Sequence, residues 1–232
     1  MFIWLASYPK SGNTFLRSLL SSYFFTNDGI FNFEVLNTIK QFPHYSLFKR
    51  IGVDLNNEKE VLENYIKAQE LFNKKESLQF IKTHSSLLKG FTNYKHTLGV
   101  IYIVRDPRNV VTSYSKHFKK TKEQSVIDIT NKLIIGVGSK THPPTHVGSW
   151  KFHYNSWKQL SKFNRYMLVK YEDLLEDPEK ILVSVLNFIY KLGNSKISID
   201  KKKLENSIAS TDFDKMQKLE KKEGFFESKK NE

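Results

Sequence analysis

Apolar positions recur along this chain in two rhythms. Phe2-Ile3-Trp4-Leu5-Ala6 and Leu98-Gly99-Val100-Ile101-Tyr102-Ile103-Val104 are short unbroken runs, the length of strands buried on both faces. Leu78 to Thr83 and Tyr166 to Tyr171 read as two further strands. Between them the period lengthens to that of a helix. Leu16, Leu19, Leu20, Tyr23 and Phe24 share one face, as do Val61, Leu62, Tyr65, Ile66 and Phe72 within 58–73. Val110, Val111 and Tyr114 mark another helix, Trp150, Tyr154 and Trp157 the next, and Ile181, Leu182, Val185, Leu186 and Ile189 one more. Asp106-Pro107 and Asp177-Pro178 supply helix starts, with aspartate as cap and proline in the first turn. Residues 200–219 read as helical, 27–57 as irregular and aromatic-rich, and 119–147 as a long connection broken by Gly136, Gly138, Pro143 and Pro144. Strands alternating with helices predict an α/β fold: one domain over 1–232, with a central, mostly parallel sheet flanked by helices.

The joint between the first strand and first helix is Tyr8-Pro9-Lys10-Ser11-Gly12-Asn13-Thr14-Phe15. A helix N-terminus directs its free N–H groups and the positive end of its dipole at one spot. Gly12 lets an oxyanion approach the backbone, Ser11, Asn13 and Thr14 add short donors, and Lys10 adds a full charge. The loop is not a Walker A sequence, which places lysine after its second glycine; here lysine precedes a single glycine. These residues alone leave two readings open, an anion site and a polar turn carrying a lysine. Two later strands end in chemistry-bearing residues, Lys82-Thr83-His84 and Arg105-Asp106-Pro107-Arg108. In an open α/β sheet the strand ends are where ligands bind. Glu172 and Asp173, after the strand at 166–171, read as helix-starting residues rather than catalytic acids.

Composition narrows the classes. The chain has 232 residues, 39% of them hydrophobic, enough for one full core. A formal net charge of +13 reads either as a lysine-rich solvated surface or as attraction for an anionic partner. Cysteine is absent, so no disulfide framework is called for. No stretch approaches the length of a membrane span, and a strand starting at residue 2 leaves no room for a cleaved leader. The expectation is a soluble, cytoplasmic chain that needs no membrane.

The order Tyr-Pro-Lys-Ser-Gly-Asn-Thr-Phe-Leu-Arg resembles the 5′-phosphosulfate loop of sulfotransferases that use 3′-phosphoadenosine 5′-phosphosulfate (PAPS). Five motifs follow the order of that family between Tyr8 and Met216. The resemblance implies a P-loop-nucleotide-kinase-like three-layer architecture. It implies a loop of Lys10, Ser11, Gly12, Asn13 and Thr14 around the 5′-phosphosulfate, and His84 of Lys82-Thr83-His84 as general base, with Lys82 beside the transferring group. It further implies that Arg105 and Ser113, eight residues apart, hold the 3′-phosphate, and that Ser113 restrains Lys10 until an acceptor is present. Tyr171 of Tyr-Glu-Asp would lie near the adenosine, and Thr211, Phe213 and Phe15 would contact the adenine. Gly148-Ser149-Trp150 matches a helix start of the family without assigning chemistry.

By this resemblance the chain moves a sulfuryl group to a hydroxyl or amine of a small-molecule or glycan acceptor, with no metal and no nucleic acid. Steroid-like, phenolic, peptide-antibiotic and sugar acceptors are all compatible with it. The acceptor would meet 27–57 and 119–147, where Phe31, Phe33, Phe42, His44, Tyr45 and Phe48 offer an apolar lining. The family's C-terminal Arg-Lys-Gly segment has no counterpart. The chain is either truncated relative to the family there, or Lys221, Lys222, Lys229 or Lys230 substitutes for it. Two rival readings make different predictions. A P-loop-like kinase or NTPase would consume ATP with Mg²⁺, and a basic nucleic-acid-binding protein would bind any long anion with steep salt dependence.

Overall fold

The computed structural model describes residues 1–74, 78–133, 135–136 and 138–223. The first apolar run forms β1 (Phe2–Ser7), every residue of it buried. β1 is the middle strand of a five-stranded sheet that also contains β2 (Lys40–Gln41), β3 (Gln79–Thr83), β4 (Thr97–Val104) and β7 (Tyr166–Lys170). Their order is β2-β3-β1-β4-β7, and every pairing in this sheet is parallel. A separate antiparallel pair joins β5 (Ile135–Gly136) to β6 (Thr145–His146).

The two-residue period of a strand sorts the core into two layers. Phe2, Trp4, Ala6, Val100 and Tyr102 face one side. There they meet α3 (Tyr45–Lys49), α4 (Glu58–Glu63), α5 (Tyr65–Glu70) and α8 (Trp150–Lys158). Ile3, Leu5, Ile101 and Ile103 face the other side. Their partners are α1 (Asn13–Phe25), α9 (Tyr171–Glu176), α10 (Pro178–Leu192) and α11 (Lys201–Ser210). The result is the three-layer α/β sandwich that the alternating pattern predicts. Each large apolar side chain so buried contributes roughly 1.5–3 kcal/mol, which is why the doubly covered strands have almost no polar residues.

α6 (Pro107–Phe118) starts as the sequence predicts, with the Asp106 side chain accepting from the Arg108 amide. α10 does the same through Asp177. Five boundaries differ from the pattern reading. The helix expected over 58–73 divides at Asn64, whose side-chain amide shares the Glu60 carbonyl with its own backbone N–H, at 2.8 Å and 3.2 Å. The connection expected over 119–147 contains α7 (Lys122–Thr130), started by a capping box between Thr121 and Gln124. The irregular stretch 27–57 holds α2 (Phe33–Leu36), β2 and α3. The helix expected over 200–219 is two, α11 and α12 (Phe213–Glu223), because Asp212 accepts the amides of Asp214 and Lys215 and starts a new one. The strand at 166–171 ends at Lys170, and Tyr171 opens α9. No helix among the described residues is long and apolar enough to cross a membrane.

Candidate functional site

Three loops at the C-terminal ends of β1, β3 and β4 meet beside one another, because those strands are neighbours in the sheet. The chain leaves β1 toward β3 on one side and later returns to β4 on the other, so the crevice sits where the winding reverses.

The loop after β1 is a tight turn with two left-handed residues, Lys10 at φ 68° and Gly12 at φ 94°. Gly12 serves as N-cap of α1, and its carbonyl accepts from the amides of Phe15 and Leu16. Space as well as φ demands glycine here. A Cβ at this position would lie 2.1 Å from Cδ2 of Tyr171. Asn13 is buried and fastens the loop to its own strand, its amide donating to Leu5 O at 3.1 Å and Ser7 Oγ at 3.2 Å. Ser11 is buried too, whereas Thr14 and Phe15 are half-buried in the first turn of α1.

Arg105, at the end of β4, reaches back over this loop. Its Nη1 donates to the Lys10 carbonyl at 3.3 Å, and its guanidinium carbon lies 4.6 Å from the centre of the Tyr171 ring. Tyr171 thus packs at once on Gly12 and on Arg105. Its neighbour Glu172 accepts from the Asp106 amide at 3.0 Å, placing a carboxylate at the positive end of α6. That geometry suits the structural role read for Glu172. Ser113 lies half-buried about two turns along α6. Lys82 is buried on β3, in register with Leu5 and Gln41.

His84 follows β3 directly and stays half-buried. Its Nδ1 lies 2.8 Å from Ser7 O and 3.3 Å from Ser7 Oγ. A carbonyl only accepts, so Nδ1 carries the proton and Nε2 holds the lone pair. The same serine thus connects the imidazole to Asn13 of the loop after β1. Imidazole and loop adjoin one another.

The remaining positions named from sequence lie farther along the chain. Thr211 is fully buried at the end of α11, its hydroxyl donating to Ser207 O at 2.7 Å. Phe213 opens α12. Lys221 and Lys222 are exposed in the last turn of α12, whereas Lys229 and Lys230 lie outside the described residues.

A cavity of about 330 Å³ opens beside the His84 segment, lined by Thr83, Ser85 and Ser86 from that segment. Of the six aromatic and histidine residues named for such a lining, Phe42 and Tyr45 contribute. Phe48 is in the core behind, His44 caps α3, and Phe31 and Phe33 pack with Val35 and Leu36 in a separate cluster. Much of the wall comes from segments that periodicity marks only as helix or loop, including Val61, Leu62, Tyr65 and Phe91.

Sequence reasoning missed one buried residue of the site, His153 on α8, whose Nε2 lies 3.1 Å from the His84 carbonyl. Its spacing, three after Trp150 and four before Trp157, was the available signal for a core-facing position. Complete burial lowers its imidazole from the usual 6.5 to about 3. An unfolded chain takes up this proton as pH falls through 6.5, and the folded chain only near 3. Stability from this group is therefore full above 6.5 and declines as pH drops toward 3. At about 1.36 kcal/mol per unit, the loss amounts to a few kcal/mol. Urea midpoints followed across that window should fall with acid in the wild type and fall less steeply in His153→Gln.

The site's donors fit a phosphate-bearing ligand. Among the described residues, the buried Ser11 Oγ and Arg105 Nε have no hydrogen-bond partner within the protein. Ser11 lies in the loop itself, and Arg105 reaches over that loop to the Lys10 carbonyl. No group of acidic, histidine or cysteine side chains suited to a metal ion occurs among the described residues.

Fold and site together define a parallel three-layer α/β domain, with a glycine-turned loop after its central strand and an imidazole at the end of the adjacent strand β3. The chain belongs to the sulfotransferase family, whose sulfotransferase domain matches residues 2–230. It is 27% identical over 190 residues to Sulfotransferase 1E1 of Rattus norvegicus, covering 80% of this chain and 57% of the relative. It is 26% identical over 212 residues to the luciferin sulfotransferase of Photinus pyralis, covering 84% of this chain and 53% of the relative. The chain thus spans little more than half the length of these two relatives. Mouse sulfotransferase SULT7A1 complexed with PAP shares the fold at a TM-score of 0.61 and 20% identity, over 93% of this chain and 65% of that one. Retinol dehydratase in complex with androsterone and the inactive cofactor PAP does so at 0.63 and 16%, over 94% and 66%.

Proposed function

We propose that this chain is a PAPS-dependent sulfotransferase acting on a hydroxyl or amine of a small, largely apolar acceptor. The observation that carries the reading is the contact between the His84 Nδ1 and Ser7, which sets the imidazole beside the loop after β1 with its Nδ1 as the donor. When bound, PAPS supplies the sulfuryl group, moved in line from its bridging oxygen to the acceptor. Lys10, Ser11, Gly12, Asn13 and Thr14 would hold its 5′ end, Arg105 and Ser113 its 3′-phosphate. Tyr171, Thr211, Phe213 and Phe15 would border the adenosine. His84 Nε2 accepts the acceptor's proton, its ring fixed by the Nδ1–H bond to Ser7 O. Lys10 would offset negative charge gathering on the leaving nucleotide, and Lys82 would stand beside the transferring group. Ser113 restrains Lys10 before an acceptor arrives. Positive side chains do the neutralising that Mg²⁺ does in kinases, so the reaction asks for no metal.

The cavity supports the acceptor class. Its walls are mainly apolar, with Tyr45, Tyr65, Phe91 and Trp157 among them and the His84 segment along one side. Such a slot suits a flat ring system bearing one reactive hydroxyl or amine better than it suits a glycan. Luciferin, for which the Photinus pyralis relative is named, and androsterone, held in the retinol dehydratase structure, are ring molecules of that kind.

Thermal unfolding tests the donor. Adenosine 3′,5′-bisphosphate should raise the melting temperature in a dose-dependent way, whereas ATP with Mg²⁺ at equal concentration should raise it less. The reverse preference would favour the kinase reading and overturn this one.

A further inference from the structure

We infer that His153 is a positioning residue, which holds the backbone carbonyl of His84 and so aims the imidazole that the proposed function treats as the base. The inference rests on that reading of His84.

The protonation pattern of this buried pair follows from its partners. His153 Nε2 faces the His84 carbonyl at 3.1 Å, and a carbonyl only accepts, so Nε2 carries the hydrogen. Nδ1 is left with a lone pair, and the Tyr102 hydroxyl, 2.8 Å away, donates to it. The relay therefore runs Tyr102 O–H to His153 Nδ1, then His153 Nε2–H to His84 O. Burial keeps both rings neutral: it lowers the His153 pKa and raises that of Tyr102 well above its usual value. The relay is a strut and carries no proton to the reaction.

Its anchor is rigid. Tyr102 lies in β4, in register with Ala6 of the central strand and Leu168 of β7. The far end needs such a hold, because β3 stops at Thr83 and His84 is the first residue beyond its ladder. α8 grips the following residues as well: Trp157 Nε1 donates to Ser85 O at 2.9 Å, and the Leu87 amide donates to Ser156 Oγ at 3.0 Å. His153 differs from these in holding His84 itself. His84 is then gripped twice, by its ring at Ser7 and by its carbonyl at His153, and the two grips together set where Nε2 points. The Tyr8 ring also meets His153 edge-on, with centroids 5.7 Å apart, tying the start of the anion loop to the same strut.

Two amide variants separate positioning from mere filling of space. His153→Gln places a donor near the position of Nε2, within reach of the His84 carbonyl, whereas His153→Asn stops at the position of Nδ1. We expect Gln to keep kcat within a few-fold of wild type and Asn to lose about tenfold or more, with KM for the donor unchanged in both. The ¹⁵N signals of His84 give a readout independent of turnover. Wild type should show the Nδ1–H tautomer, and His153→Asn should shift toward a mixture of tautomers. Equal kcat for Asn and Gln, or unmoved His84 signals in Asn, would overturn the proposal. Should neither variant fold, Tyr102→Phe deletes one oxygen and leaves the packing intact. Moved His84 signals in it support the strut, and unmoved ones overturn it. If His84→Ala retains full turnover, the base reading fails; the nitrogen signals still judge the strut on its own.

Discussion

His84→Ala is expected to lower turnover by about 10²–10⁴-fold, the usual contribution of a positioned general base. The affinity for adenosine 3′,5′-bisphosphate should stay close to that of wild type, because the imidazole lies beside the anion loop and is not one of the donors assigned to the nucleotide. The direction of the ring makes the expectation specific. Nδ1 is committed to Ser7 O at 2.8 Å, so the lost function is that of Nε2 alone. His84→Gln, which can place an amide near Nε2 but cannot accept and release a proton there, should be about as impaired as alanine. Turnover is to be measured with donor and acceptor saturating, and nucleotide binding by calorimetry. Near-normal turnover in the alanine variant would remove His84 from the chemistry.

Gly12→Ala should abolish the thermal shift produced by adenosine 3′,5′-bisphosphate. Two independent costs combine at this residue. Its φ of 94° is one that residues with a Cβ adopt at a cost of about 1–3 kcal/mol. The added methyl would also fall 2.1 Å from Cδ2 and 2.5 Å from Cε2 of Tyr171. Relief requires the turn to open or the tyrosine to leave Arg105, and either movement spoils the cradle. Losing two charge-assisted hydrogen bonds at about 1.5–3 kcal/mol each weakens nucleotide binding by a hundredfold or more. Adding Tyr171→Ala should recover part of the melting temperature, since the steric cost disappears, without recovering the nucleotide shift. Wild-type affinity in Gly12→Ala would show that the nucleotide does not use this turn.

The sheet and its covering helices were legible because strands buried on both faces must be apolar throughout, and helices that cover them must repeat near 3.6. β1, β4, α1 and α10 announce themselves on those grounds. The loop from Lys10 to Thr14 and the residues His84 and Arg105 were legible for a related reason: each stands directly at the end of such a strand. Less was readable where structure depends on residues distant in the chain. α7 has a weak apolar face, and its start rests on the Thr121–Gln124 capping box, which an eye following apolar rhythm passes over. Phe31 and Phe33 look like pocket residues by composition, yet they pack on Val35 and Leu36, and nothing local distinguishes that fate from lining a cavity. His153 is the clearest case. Its partners lie 51 and 69 residues away, at Tyr102 and His84, and only the assembled sheet brings them together.

The placement of β1 also bears on how the molecule is made. Its neighbours are residues 79–83 on one side and 97–103 on the other, so the middle of the sheet cannot close until synthesis has passed residue 103. Until then Phe2, Ile3, Trp4 and Leu5 form a sticky segment with no strand beside it, which favours slow assembly and capture by chaperones on the ribosome.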